Sequence, residues 1–255
     1  MKLKVLGCSG SIGGRQQRTT SLLVDDDILI DAGTGVGDLE IAQLAKIDHV
    51  FLTHSHLDHI ACLPFLPDAV GELRDKPLTV YATAETRRIL EDHIFNWVIW
   101  PDFATIPSSD KPFLRFQTIT LGETVVLAGR RITVLPAEHT VPAVGYQIDS
   151  GDGSLVFTGD TTSNDALWEV VNQITNLRYL LIETAFANRD AELALLSKHL
   201  CPDTLECELQ KLKRDVEVFV THLKPAQTAE TMQEIAQCKS RYSLQVLRTG
   251  DLFVF

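Results

Sequence analysis

The densest chemistry in the chain is Thr53-His54-Ser55-His56-Leu57-Asp58-His59, where three histidines and a carboxylate fall within six residues. Imidazole is a borderline nitrogen donor and carboxylate a hard oxygen donor, so the set suits Zn²⁺, with Mn²⁺ or Fe²⁺ as alternatives. In an extended loop His54 and His56 send their side chains the same way, because successive side chains alternate. Asp58-His59 then turns into a helix start and can aim donors at a second position. One short loop cannot fill two coordination spheres, so further donors must come from distant segments. Three stand where apolar runs end: His139 in Pro136-Ala137-Glu138-His139-Thr140, Asp160 in Phe157-Thr158-Gly159-Asp160-Thr161, and His222 in Phe219-Val220-Thr221-His222-Leu223-Lys224-Pro225. A strand end places a donor rigidly while the following loop leaves it free to face a cleft.

The elements that must carry these donors are short. Leu3–Leu6 reads as a first strand, followed by a hairpin of Ser21–Val24 and Ile28–Asp31 around Asp25-Asp26-Asp27. Asp38–Ala45 has helical apolar spacing, and His49–Thr53 is a buried-type strand running into the histidine-rich loop. Residues 60–115 are expected to be mainly helix and loop, with a strand at Thr79–Ala82 and a helix at Glu85–Ile94. Strand patterns return at Val125–Leu127, Ile132–Leu135, Val144–Ile148, Leu155–Thr158, Tyr179–Ile182, Val216–Val220, Leu244–Leu247 and Leu252–Phe255. Helical patterns occupy Asp165–Asn172, Asp203–Leu212 and Ala229–Cys238. Strand-rich blocks in both halves, each followed by helices, predict two packed sheets with helices outside, an α/β (α+β) arrangement. No composition shift, linker or repeat divides the chain, so one domain over residues 1–255 is expected.

With 255 residues, 45% hydrophobic and 22% charged, the composition is that of an ordinary globular protein and not of a disordered one. Lys and Arg total 23 against 34 Asp and Glu, a formal charge of −11. Such a surface repels phosphate backbones, which argues against broad electrostatic binding of DNA or RNA, yet a small anion drawn to bound cations stays open. No run of 18 apolar residues occurs, so no membrane-spanning helix is expected, and the first residues lack an apolar stretch of signal length. Five cysteines without a C-x-x-C pair point to inert thiols in a reducing, cytoplasmic compartment. Gly7 to Gly14 lacks the Gly-Lys-Ser/Thr end of a P-loop, and Gly33-Thr34-Gly35-Val36-Gly37 has the wrong spacing for a dinucleotide fingerprint. Both read as loops at the edge of the site.

His54-Ser55-His56-Leu57-Asp58-His59, followed in order by His139, Asp160 and His222, resembles the signature of the metallo-β-lactamase superfamily, over essentially the whole chain. The resemblance implies an αβ/βα four-layer sandwich with a two-metal site at one sheet edge. It implies that His54, His56 and His139 hold one ion, that Asp58, His59 and His222 hold the other, and that Asp160 bridges them. Two ions about 3.5–4 Å apart can share a water, lower its pKa toward neutrality and polarise a phosphoryl or acyl oxygen. Hydrolysis is the reaction class this offers.

Three further stretches are similar to the class II 3′,5′-cyclic-nucleotide phosphodiesterases: Glu183-Thr184-Ala185-Phe186, Lys198-His199-Leu200-Cys201-Pro202 and His222-Leu223-Lys224-Pro225. The insert from His93 to Pro101 resembles the same class. Departures are Cys62, where that class carries Gly or Ser, Pro67, near its expected Ser, and Lys198 in place of the Gly before His199. The resemblance implies that a cyclic nucleotide (cAMP or cGMP) is opened to the 5′-nucleotide by metal-bound hydroxide attacking in line with the 3′-oxygen, with Asp58 among the catalytic groups. An alkoxide leaving group needs a poised acid, and His199 oriented by Glu183 meets that need. The bland alternative is a strand-end Glu binding backbone and a helix-capping His. Lys224 could contact a phosphate oxygen, Asn96 and Thr161 could line the site, and Phe95, Trp97 and Trp100 could stack a purine or simply fill the core.

The tRNA 3′-processing endonucleases of the superfamily share the ligands and the Glu–His pair. They usually place a long basic arm between the histidine strand and the bridging Asp, whereas only 20 residues separate His139 from Asp160 here. Ile182 also stands where those enzymes carry a His. A small cyclic nucleotide is therefore the expected partner rather than tRNA or DNA, and a homodimer is compatible with the sequence. An acyl or thioester metallohydrolase is a second alternative. A binding-only sensor is a third, and would be expected to have lost at least one donor.

Overall fold

The computed structural model describes all 255 residues. The first half supplies β1 (Lys2–Gly7), β2 (Ser21–Val24), β3 (Ile28–Ile30), β4 (His49–Phe51), β5 (Leu78–Ala82), a small pair β6 (Pro107–Ser108) and β7 (Lys111–Pro112), and β8 (Leu114–Thr118). The second half supplies β9 (Thr124–Leu127), β10 (Arg130–Pro136), β11 (Val144–Asp149), β12 (Ser154–Phe157), β13 (Leu177–Glu183), β14 (Glu217–Thr221), β15 (Leu244–Val246) and β16 (Leu252–Val254). Two seven-stranded sheets result, ordered β16-β1-β2-β3-β4-β5-β8 and β15-β14-β13-β12-β11-β10-β9. In each, pairing changes midway: antiparallel from β16 to β3 and from β9 to β12, then parallel from β3 to β8 and from β12 to β15.

Side-chain alternation decides the layers. In β13, Leu181 enters the core between the sheets while Leu180 and Ile182 face the outer helices. In β10, Ile132 and Val134 turn inward and Leu135 turns out. The inter-sheet core draws on both ends of the chain, from Leu3 and Val5 to Phe253 and Phe255. Outside the first sheet lie α1 (Ile41–Leu44), α2 (Leu57–Ile60), α3 (Phe65–Val70) and α4 (Ala84–His93), several of whose residues share an apolar cluster with Leu78, Val80 and Ala82 of β5. Outside the second lie α5 (Asp165–Val171), α6 (Ala191–Leu196), α7 (Pro202–Leu209) and α8 (Thr228–Ile235), with Trp168, Leu205 and Ile235 in its outer cluster. This is the expected four-layer sandwich. No helix is long and apolar enough to cross a membrane.

Two expectations need correction. Asp38–Ala45 is not one helix: a 3₁₀ turn at Thr34–Asp38 ends in extended Leu39, and Glu40 begins α1 afresh through a reciprocal capping box with Gln43. The stretch 60–115 also runs into an edge strand, β8, whose Leu-Arg-Phe-Gln-Thr alternation pairs it in parallel with β5. All five cysteines are free, and burial pushes the Cys8 thiol up to about 12, an unreactive state.

The two halves are joined next to the histidine loop. Tyr146 Oη donates to the Leu52 carbonyl at 2.6 Å, and Val144 N donates to the Thr53 carbonyl at 3.0 Å. The Tyr146 ring meets Phe51 edge-on at 5.7 Å, and Phe51 stacks on Tyr81 at 4.2 Å. Tyr146→Phe would keep the ring and strand a buried carbonyl, so it should cost about 1–3 kcal/mol, read as a lower urea midpoint with unchanged slope.

Candidate metal centre

The strands that lead into the donors end at one edge, as ligand sites in open sheets generally do. His54, His56, Asp58 and His59 follow β4, His139 follows β10, Asp160 follows β12 and His222 follows β14. Donor atoms of His54, His56, His139 and Asp160 lie within 4.8 Å of one another, as do those of Asp58, His59 and His222. Asp160 lies between the groups. Its Oδ2 is 3.4 Å from His59 Nε2, 3.8 Å from His54 Nε2 and 4.0 Å from His139 Nε2, while Oδ1 is 3.2 Å from His222 Nδ1. Asp58 Oδ2 is 3.8 Å from His59 Nε2 and 3.7 Å from His222 Nε2.

The rings are aimed by what their other nitrogens hold. Asp31, fully buried at the end of β3, accepts from Thr53 N and Thr53 Oγ1, both at 2.8 Å, and from His59 Nδ1 at 2.6 Å. Because the Thr53 hydroxyl donates to Asp31, His54 Nδ1 must donate to that hydroxyl oxygen, 3.0 Å away. His139 Nδ1 donates to the Lys198 carbonyl at 3.1 Å. Each contact leaves an Nε2 facing inward. His56 turns Nδ1 inward instead, 3.1 Å from His139 Nε2. The glycine loops wall the site closely: a Cβ on Gly10 would fall 2.4 Å from the His222 carbonyl, and one on Gly33 would fall 2.4 Å from the Asp58 carbonyl. His222 adopts a φ of 64°, a left-handed backbone pinned by its N–H donating to the Cys8 carbonyl at 2.8 Å.

The donor set fits divalent metal. His54 Nε2, His59 Nε2 and His222 Nδ1 are buried with no hydrogen-bond partner, an arrangement that costs about 1–3 kcal/mol per group unless something coordinates them. Desolvation holds His54 well below the usual imidazole range, and pushes His139 down to about 4 and His222 to about 3, so all three present lone pairs at neutral pH. At His59, burial also opposes charge, but Asp160 and Asp31 outweigh it and raise the ring well above its usual 6.5.

His199 stands beside the cluster, its ring 4.9 Å from that of His139 and stacked 5.2 Å from that of His222. Its Nδ1 meets Glu183 Oε1 at 2.7 Å, and Glu183 also accepts from Thr161 N and Leu200 N. Burial works against an imidazolium here, and the Glu183 carboxylate outweighs it, raising His199 above its usual range. Cys201, not His199, caps α7. Thr161 supports from behind, its hydroxyl accepting from Glu138 N and its own N–H holding Glu183. Lys224 Nζ donates to the Gly10 carbonyl at 2.8 Å and lies over the Phe186 ring at 5.7 Å. Asn96 uses its amide to close the turn after α4, donating to the Asp92 carbonyl and accepting from Val98 N and Ile99 N. Phe95 is core, Trp100 packs on Phe65, and Trp97 is exposed.

A family model described as a beta-lactamase superfamily domain matches residues 26–242. The chain belongs to the β-lactamase superfamily. Within this superfamily it is similar to a probable 3′,5′-cyclic-nucleotide phosphodiesterase of Yersinia pestis, 28% identical over 71% of this chain and 58% of that protein. It is also similar to a ribonuclease Z of Methanopyrus kandleri, 28% identical over 58% of this chain and 50% of that one. The chain thus spans about half the length of these curated relatives. Among solved structures, unliganded yeast PDE1 shares the fold, with a TM-score of 0.81 and 18% identity over 100% of this chain and 99% of the other. The superfamily is one of metal-dependent hydrolases, which agrees with the donor chemistry above.

The sequence reading missed Asp31, taking it as the last residue of a strand. Its signal was a lone carboxylate directly after the fully apolar Ile28-Leu29-Ile30. A carboxylate on the far nitrogen of a ligating His fixes its tautomer and raises its basicity. Asp31→Asn would set an amide donor against the Thr53 hydroxyl or His59 Nδ1, so metal affinity should fall about 10- to 100-fold in a zinc titration, with the fold kept. A metal at His59 competes with its proton, so affinity in the unaltered protein should keep rising with pH above 6.5.

Proposed function

We propose that this superfamily member is a phosphodiesterase with two divalent ions, most simply Zn²⁺, and that its substrate is a 3′,5′-cyclic nucleotide opened to the 5′-nucleotide. One observation carries the reading: a buried carboxylate–imidazole pair, Glu183–His199, beside the seven-donor cluster. Ions held by His54, His56, His139, Asp58, His59, His222 and the bridging Asp160 would supply Lewis acidity at a phosphoryl oxygen and a water of lowered pKa. What the chain itself adds is a proton at the right place. A ribose alkoxide is a poor leaving group, and His199, kept protonated and oriented by Glu183, can donate from Nε2 as the bond to oxygen breaks. A thioester or acyl substrate has less need of such an acid, which disfavours the acyl-hydrolase alternative.

Choice of a small nucleotide over tRNA draws on three supports. The Yersinia relative bears the cyclic-nucleotide name, the chain's charge is −11, and the residues between His139 and Asp160 form only the β11–β12 hairpin. The Methanopyrus ribonuclease Z relative keeps a nuclease as the second reading.

The metal-loaded protein should release 5′-nucleotide from cyclic AMP or cyclic GMP. Cleavage of a tRNA precursor without turnover of either nucleotide would favour the nuclease instead. Asp160→Ala should lose bound metal, by elemental analysis, and at least about 1,000-fold in turnover. His199→Ala should keep its metal and lose about 100- to 10,000-fold on cyclic AMP. Bis(p-nitrophenyl) phosphate, whose leaving group needs no proton, should lose about tenfold or less; equal losses on both esters would remove His199 from the acid role.

A further inference from the structure

Lys198 occupies a position made for glycine. Its φ of 52° lies in the left-handed region, which glycine enters without strain and lysine does not. The backbone contact made there, the carbonyl accepting from His139 Nδ1, would survive with any residue. Only the side chain distinguishes lysine, and its ammonium pairs with the carboxylate of Glu138, the residue before His139. The side chains of Lys198 and Glu138 are 39% and 55% exposed, so this is the kind of ion pair that exchanges partners readily.

The other nearby lysine, Lys224, is committed to the Gly10 carbonyl and the Phe186 ring. Glu138 and His139 line a cavity of about 590 Å³ that also touches Thr83, Leu121 and Thr140. Lys198 directly precedes His199, whose ring is 4.9 Å from that of His139, and its carbonyl accepts from His139 Nδ1, so its flexible stem starts from backbone that borders the cluster. A phosphate oxygen at the cluster is then a competing partner for the same ammonium.

We propose that Lys198 is an exchangeable anion-binding residue: its ammonium rests on Glu138 and transfers to a non-bridging phosphate oxygen of the substrate, Glu138 setting the affinity as resident competitor. The identity of the anion rests on the phosphodiesterase reading, so the test uses inorganic phosphate and not turnover. Calorimetry on zinc-loaded protein should show Lys198→Gly weakening phosphate about tenfold, the scale of one charge-assisted hydrogen bond, with zinc content unchanged. Lys198→Arg should restore binding to within roughly threefold, since the charge returns. Glu138→Gln should tighten phosphate binding, and that gain should vanish when Lys198→Gly is added. Wild-type affinity in Lys198→Gly would overturn the proposal, as would a Glu138→Gln gain that persists undiminished without the lysine. Hydrolysis of bis(p-nitrophenyl) phosphate is measured alongside; its absence would count against the phosphodiesterase reading alone and leave the phosphate isotherms to judge Lys198.

Discussion

A buried imidazole nitrogen without a partner is costly, and this fold holds three of them at one place. The contacts around them, and around the neighbouring His139, keep the ring nitrogens pointed inward. Thr53, Asp31 and the Lys198 carbonyl occupy the outer nitrogens of His54, His59 and His139. The local field then separates the rings: desolvation holds His54, His139 and His222 below the usual imidazole range, while Asp160 and Asp31 outweigh burial and raise His59 above it. Such an arrangement suits a site for cations.

The sheets explain how donors distant in sequence can meet. Parallel pairing in one half of each sheet sends β3 and β4 of one, and β12, β13 and β14 of the other, toward their loops at a common edge. Short apolar strands fix the starting point of each loop, and left-handed backbones set its final direction. Of six non-glycine residues with positive φ, three stand at the site: Asp31, Lys198 and His222. Strain of this kind persists where surrounding contacts over-determine the conformation. Here those contacts include Asp31 with Thr53, Lys198 with His139, and His222 with Cys8.

Legibility in the sequence followed how local each signal was. His54 to His59 form a cluster in sequence, so they are conspicuous. His139, Asp160 and His222 become readable because each follows an apolar run. Glu183 and His199 required resemblance, since 15 residues intervene and nothing in either segment alone announces a pair. Asp31 escaped because one acidic residue after a strand is ordinary until its burial is known. The left-handed turn at Lys198 escaped because φ is not visible in composition; only a departure from an expected glycine hinted at it. β8 was lost for a different reason: its alternation is real but occupies only Leu114 to Thr118, at the end of a stretch dominated by helix and aromatic residues.

Neither donor group belongs to one half of the molecule. His54 and His56 come from the first sheet and join His139 and Asp160 from the second, and Asp58 and His59 likewise join His222. Occupancy would therefore act as a cross-link between the layers, in the manner of a rivet. By mass action, free metal at 100 times its dissociation constant adds about 2.7 kcal/mol to the folded state for one site. A chelator is in that sense a denaturant for this architecture, and the melting temperature becomes a gauge of how much metal the surroundings supply.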